Sequence, residues 1–214
     1  MKITIGYLYY DLLNLYGDSG NIKTLKYHLE KQDIEVIIKY ITINDKKDFK
    51  NLDMIYIGSG TEDNLMLALD DLKKDVDSLK EFIDSKKILL STGNSLELFG
   101  NYIITNKKIK SLGIFDYVVM YQENRIVKDV NIKTDIINKN IIGFENHLGK
   151  VLTYEDIINI DNYFGTYIIG PILARNPELC KYFVHKLIDS KNDNFEYKED
   201  NYEYEEKAYL NNTK

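Results

Sequence analysis

Ile3, Ile5 and Tyr7 alternate with Thr4 and Gly6, a period of two that predicts a first strand. After a loop rich in Asp, Asn and Gly (residues 11–21), the apolar positions change to a 3–4 spacing at Ile22, Leu25 and Leu29. That spacing predicts a helix whose start Ser19 or Asn21 is placed to cap. Ile34–Ile41 reads as a β-branched second strand, and Asp53–Ile57 as a third that stops at Gly58-Ser59-Gly60. A long helix is predicted from Glu62 to Ser85, with Leu65, Leu69, Leu72, Val76, Leu79 and Ile83 as its buried stripe. Next, the apolar run Ile88-Leu89-Leu90 ends in Ser91-Thr92-Gly93-Asn94-Ser95, and a helical pattern begins at once with Leu96, Leu98 and Phe99. This is the shape of a nucleophile elbow, a sharp strand-to-helix turn that holds one reactive side chain above a parallel sheet.

Alternation of strands and helices over residues 1–100 predicts an α/β fold with a central, mainly parallel sheet flanked by helices. Binding crevices in such sheets form at the carboxyl ends of the strands, where Gly58-Ser59-Gly60 and Ser91-Thr92-Gly93-Asn94 both fall. Farther on, Tyr117–Tyr121 and Val127–Ile132 read as neighbouring antiparallel strands around Gln122-Glu123-Asn124-Arg125. Asn140–His147 reads as a strand leading into a polar turn, and Gly165–Ile169 as a strand ended by Gly170-Pro171. The last strong helix opens near Pro177 and buries Leu179, Phe183, Val184, Leu187 and Ile188. Residues 1–190 are expected to form one domain. Residues 191–214 are expected to be an acidic, Tyr-rich tail packed on it or trailing from it.

Bulk properties narrow the function. A net charge of −6 with no dominant basic run argues against nucleic-acid binding. No apolar run approaches the roughly 20 residues of a membrane span. The start, Met1–Leu8, has no secretory apolar region, so no membrane insertion and a cytoplasmic location are expected. The single cysteine, Cys180, leaves no intrachain disulfide and no multi-cysteine metal site. It falls beside an apolar helical stripe and reads as a buried structural thiol. His28 and His185 share their helices with lysines and read as solvated. Arg125 and Arg175 are the only arginines, and a guanidinium suits carboxylates better than an ammonium does. No metal or other cofactor is called for.

The ordered motifs also carry a resemblance that covers nearly the whole chain. Leu13-Asn14-Leu15-Tyr16-Gly17-Asp18-Ser19-Gly20-Asn21 resembles the opening signature of the GatD family, within the CobB/CobQ-type class I glutamine amidotransferases. Ile57-Gly58-Ser59-Gly60, Asn124-Arg125, Gly143-Phe144-Glu145-Asn146-His147 and Gly165-Thr166-Tyr167 through Gly170-Pro171-Ile172-Leu173 follow in the family's order and spacing. The resemblance implies a glutaminase subunit of a lipid II isoglutaminyl synthase. In such a subunit an elbow cysteine, activated by a histidine, attacks the amide of glutamine while backbone amides hold the oxyanion. It also implies a Mur-ligase-like, MurT-type partner that uses the ammonia to amidate a peptidoglycan precursor.

The chemistry departs from the pattern. By the same resemblance, the nucleophile position is Gly93 and the base position is Ile169, so both halves of the dyad are missing. Loss of a nucleophile from such a unit costs about a million-fold in turnover, or about 8 kcal/mol of barrier. The substrate and oxyanion region is assigned to Gly58, Ser59, Gly60, Asn94 and Arg125. Thr92, Glu145, Asn146 and His147 are taken as candidates to line the crevice, with His147 alternatively a hydrogen-bonded structural residue and Arg125 alternatively a surface ion pair. Three functions compete: a GatD-like subunit without glutaminase activity, a regulatory protein that binds glutamine or a related amide without cleaving it, and an active glutaminase with displaced residues.

Overall fold

The computed structural model describes residues 1–154, 156–192, 194–199 and 202–213. In chain order the first half comprises β1 (Lys2–Leu8), α1 (Ser19–Lys31), β2 (Glu35–Ile41), β3 (Met54–Ile57), α2 (Glu62–Leu72), α3 (Val76–Asp84) and β4 (Ile88–Thr92). Four strands follow: β5 (Tyr102–Ile104), β6 (Lys108–Lys110), β7 (Val118–Ile132) and β8 (Ile141–Val151). The chain then forms β9 (Ile157–Ile160), β10 (Tyr163–Thr166), β11 (Ile168–Ile169), α4 (Ile172–Arg175), α5 (Pro177–Asp189) and α6 (Glu203–Asn212).

The larger sheet has the order β2-β1-β3-β4-β10-β9 and is parallel except for its β9 edge. Its near-continuous apolar strands reflect burial on both faces. Ile3, Ile5, Tyr7, Met54, Tyr56 and Leu90 pack with α1, α4 and α5 on one side. Leu8, Ile55, Ile57 and Leu89 pack with α2, α3 and the second sheet on the other. That second sheet, β11-β8-β7-β5-β6, is antiparallel except between β5 and β7.

Several local expectations are corrected. The predicted long helix is two, because a 3-10 turn at Lys73–Asp75 separates α2 from α3. This bend lets Asp71 and Asp75 both reach the buried Lys47 Nζ, at 2.6 and 3.2 Å. The two strands expected around Gln122–Arg125 are one, β7, whose register against β8 shifts between Tyr121 and Ile126. The Glu145-Asn146-His147 stretch lies within β8 rather than in a turn. Gly165–Ile169 belongs to two sheets: β10 pairs with β4, the chain crosses at Tyr167, and β11 pairs with β8. Thr166 fixes the crossing, since its Oγ1 donates to the Asp156 carbonyl and accepts from the Ile168 N–H.

Neither Ser19 nor Asn21 caps α1. Asn14 Oδ1 instead accepts the Ser19 N–H at 2.9 Å, while Asn21 donates to the Tyr56 hydroxyl and accepts from the Leu173 N–H. His28 is fully buried rather than solvated: its ring stacks on Tyr202 at 3.9 Å, and Nε2 lies 3.6 Å from Glu205 of α6. Cys180 is buried in α5. In α6, Tyr209 is also buried and donates to the Asn140 carbonyl at 2.8 Å.

Asn176 joins the two halves of the fold. Its side chain accepts the Ile142 N–H and donates to the carbonyls of Ile142 and Ile172, all at 2.8 Å, as a neighbouring strand would. Asn176→Ala leaves the buried Ile142 N–H and carbonyl unsatisfied, while the Ile172 carbonyl keeps the Asn176 backbone N–H, and should destabilise the fold by about 2 kcal/mol. A urea titration checks this, and an unchanged midpoint would contradict it.

Candidate functional site

Gly93 is the apex of a strand–turn–helix elbow. β4 ends at Thr92, Gly93 adopts φ +63°, and a 3-10 helix rather than the expected α-helix runs over Gly93–Leu98. A left-handed φ is what an elbow needs, and glycine adopts it without a Cβ penalty. Against this turn lies the Gly58-Ser59-Gly60 loop at the carboxyl end of β3. A Cβ built at Gly93 would overlap Ser59 Cβ and Oγ and would lie 2.9 Å from Ile169 Cγ2. The structure therefore brings Gly93 and Ile169 face to face, with Ser59 filling the space between loop and elbow.

The Ser59 and Gly60 N–H groups of the glycine loop are already engaged. Asn94 Oδ1 accepts the Gly60 N–H at 3.1 Å and the Ser59 hydroxyl at 3.2 Å, and Asn94 Nδ2 donates to the Gly60 carbonyl at 2.9 Å. Gly58 is crowded from below, because a Cβ there would overlap the Leu13 carbonyl and lie 2.6 Å from Asp18 Cβ. Beneath the turn, the buried Asp18 carboxylate accepts from the Tyr16 and Ser59 N–H groups and from the hydroxyls of Tyr56 and Thr92. Burial outweighs these donors and pushes the Asp18 carboxyl above its ordinary pKa. Thr92 thus points down toward Asp18 and Tyr56 instead of standing at the apex.

Arg125 closes the rim. One Nη pairs with Glu62 in the first turn of α2 and the other donates to Asn146 Oδ1 at 3.3 Å. Glu145 and His147 point elsewhere. Phe144 pairs with Ile169, on the elbow side, whereas Glu145 pairs with Ile168 and His147 with Ile126. Strand alternation turns these two to the reverse face of the β7–β8 ribbon. Of the sequence candidates, Gly58, Ser59, Gly60, Gly93, Asn94 and Ile169 gather at the elbow, with Arg125 and Asn146 at its rim.

Sequence reasoning missed Asp18 and Glu97. Asp18 sits in a loop whose polarity gave no sign of burial. The sign of Glu97 was a lone carboxylate inside the apolar run Leu96-Glu97-Leu98-Phe99. Its carboxyl is fully buried, accepts from the Tyr167 hydroxyl at 3.2 Å, and leaves Oε2 without a partner among the described residues. Burial pushes this carboxyl up to about 8, against the lowering effect of the Tyr121 and Tyr167 hydroxyls. Among the described residues no His, Cys, Asp and Glu group is arranged to hold a metal ion, and no helix is long and apolar enough to cross a membrane.

The arrangement of elbow, glycine loop and crossing strand has counterparts of known sequence. Residues 4–177 match the CobB/CobQ-like glutamine amidotransferase domain. The chain belongs to this family. A relative in Staphylococcus aureus, the lipid II isoglutaminyl synthase (glutamine-hydrolyzing) subunit GatD, is 32% identical over 92% of this chain and 89% of its own length. The subunit of the same name from Streptococcus pneumoniae is 28% identical over 89% of this chain and 82% of its own. Among solved structures, a glutamine amidotransferase crystal structure aligns with TM-score 0.51 at 14% identity, covering 86% of this chain and 97% of that one. The glutaminase domain of Trypanosoma brucei CTPS aligns with TM-score 0.53 at 8% identity, covering 91% and 96%. These likenesses establish the glutamine amidotransferase-like α/β fold that the family resemblance implied. At the apex of the elbow of this CobB/CobQ-like chain stands Gly93, and the residue opposing it is Ile169.

Proposed function

We propose that this chain is a GatD-like glutamine amidotransferase subunit of a lipid II isoglutaminyl synthase-type complex, and that it does not hydrolyse glutamine. The named relatives support the first part. One observation carries the second: the positions assigned to nucleophile and base are Gly93 and Ile169, in contact with each other and both buried. Neighbouring groups offer no replacement. Thr92 is committed to Asp18 and Tyr56, Ser59 donates to Asn94, and His147 lies on the other face of the ribbon. A hydroxyl nucleophile needs an adjacent base at the reacting face; Thr92 meets its carboxylate, Asp18, beneath the turn, and Ser59 meets only the Asn94 amide, which is no base.

In this reading the subunit keeps the surface that docks a Mur-ligase-like, MurT-type partner, in the cytoplasm, and lets that ligase run on free ammonia or regulates an active copy. The test is ammonia release from glutamine by the chain alone and together with a co-expressed MurT-type ligase. No release above the blank is expected in either case, with ligase activity dependent on added ammonium. Ammonia production by the unmodified chain, or its covalent labelling by a glutamine-mimicking electrophile, would show the hydrolytic part to be wrong. Failure to co-purify with the ligase would count against the subunit part. Calorimetry with glutamine separates a third role, since saturable binding without turnover would mark an amide-sensing protein.

A further inference from the structure

The reverse face of the β7–β8 ribbon holds a separate cleft of about 320 Å³. Lys128, Glu145, His147, Lys150, Tyr154 and Asp156 contribute its polar lining, and Tyr167 forms its inner wall. Glu145 and His147 are the most buried of its charged and imidazole side chains, 3% and 5% exposed. The Tyr167 ring fixes the imidazole by stacking on it at 3.7 Å. His147 Nδ1 lies 2.6 Å from the Gly149 carbonyl, which can only accept, so Nδ1 carries the hydrogen. Among the described residues the buried Nε2 then has no hydrogen-bond partner, and it lies 3.6 Å from Glu145 Oε2, too far for a bond between them. The same carboxylate oxygen is 3.2 Å from Lys128 Nζ at the half-exposed rim.

An imidazole nitrogen and a carboxylate oxygen this close, facing one space, suit a donor that carries more than one hydrogen. An ammonium has three. Lysines 128 and 150 at the rim balance Glu145 and Asp156, so the cleft as a whole favours a ligand of no net charge. Ile126, Val151 and the Tyr154 ring supply an apolar flank, and the volume falls within the range of small-molecule sites. We propose that this cleft is a second ligand site that takes a zwitterionic α-amino acid with a short aliphatic side chain. The ammonium sits between Glu145 and His147, and the carboxylate meets Lys128 and Lys150. The site does not depend on whether the elbow hydrolyses glutamine.

Calorimetry on the full chain with L-leucine tests this, alongside two half-probes, 4-methylpentanoate without the amine and 3-methylbutylamine without the carboxylate. Saturable leucine binding is expected, with each half-probe weaker by at least about tenfold. Glu145→Gln and Lys128→Met should each weaken leucine binding by about tenfold or more, while Arg125→Met on the elbow side leaves it unchanged. Lys128 is at the rim, so its variant keeps the test valid should the Glu145 variant fail to fold. Three results overturn the proposal: no heat with leucine at about 10 mM, half-probes that bind as well as leucine, or a loss confined to Arg125→Met.

Discussion

Gly93→Cys should lower the stability of the protein by roughly 3 kcal/mol and yield no reactive thiol. Two costs add. A side chain at φ +63° carries the left-handed penalty of about 1–2 kcal/mol, and its Cβ has to displace Ser59 and press on Ile169. Because two of the three overlapping atoms belong to the Ser59 side chain and the third to Ile169, Ser59→Gly should recover most of the packing part of the loss in the double variant. Only the triple variant, Ser59→Gly with Gly93→Cys and Ile169→His, has room for a thiol and a base to activate it. Scanning calorimetry ranks the three stabilities, and labelling by a glutamine-mimicking electrophile reports the thiol. A Gly93→Cys protein as stable as its parent and readily labelled would mean that Ser59 does not occupy the space.

Glu97→Gln should stabilise the protein, and by more as the pH rises. In the folded chain burial pushes the Glu97 carboxyl up to about 8, whereas in the unfolded chain it returns to its ordinary value of about 4.5. Between those limits the folded state holds a proton that the unfolded state has released, so stability falls with rising pH, by roughly 1.4 kcal/mol per unit. The loss is absent below the unfolded value and complete above the folded one. Glutamine keeps the shape and can still accept from Tyr167, but it has nothing to titrate. Urea midpoints for parent and variant should therefore converge near pH 4.5 and diverge toward pH 8, with the variant several kcal/mol ahead. The groups facing Glu97 are the hydroxyls of Tyr121 and Tyr167, with Glu62 and Arg125 farther out, and the hydroxyls titrate well above this window. Parallel curves would place the carboxylate in contact with water.

The parallel sheet was legible because its strands are short, β-branched and bounded by glycine, and because the first two helices show unbroken 3–4 spacing. The elbow was legible for the same reason, since only a small residue can follow Thr92 at that turn. What escaped was decided by pairing at a distance. Nothing local in Gln122–Arg125 distinguishes a hairpin turn from an irregularity inside one long strand, because the β8 register settles it. Nor does the Gly165–Ile169 run announce a change of sheet at Tyr167, which depends on a hydrogen bond from Thr166 to Asp156. The helix break at Lys73 was hidden because the apolar spacing runs straight through it, and the bend answers to a lysine some 26 positions earlier. His28 looked solvated because its neighbours are, and only the return of α6 covers it.

The Ser59–Gly93 contact also bears on how such a chain can change over generations. A single codon change that placed a thiol at the turn would meet an occupied space and be removed by selection on folding, whatever its catalytic promise. Shrinking Ser59 has to come first, and that step alone confers no chemistry to select. On the proposed reading, the route to a hydrolytic site is therefore ordered, through an intermediate with nothing to recommend it.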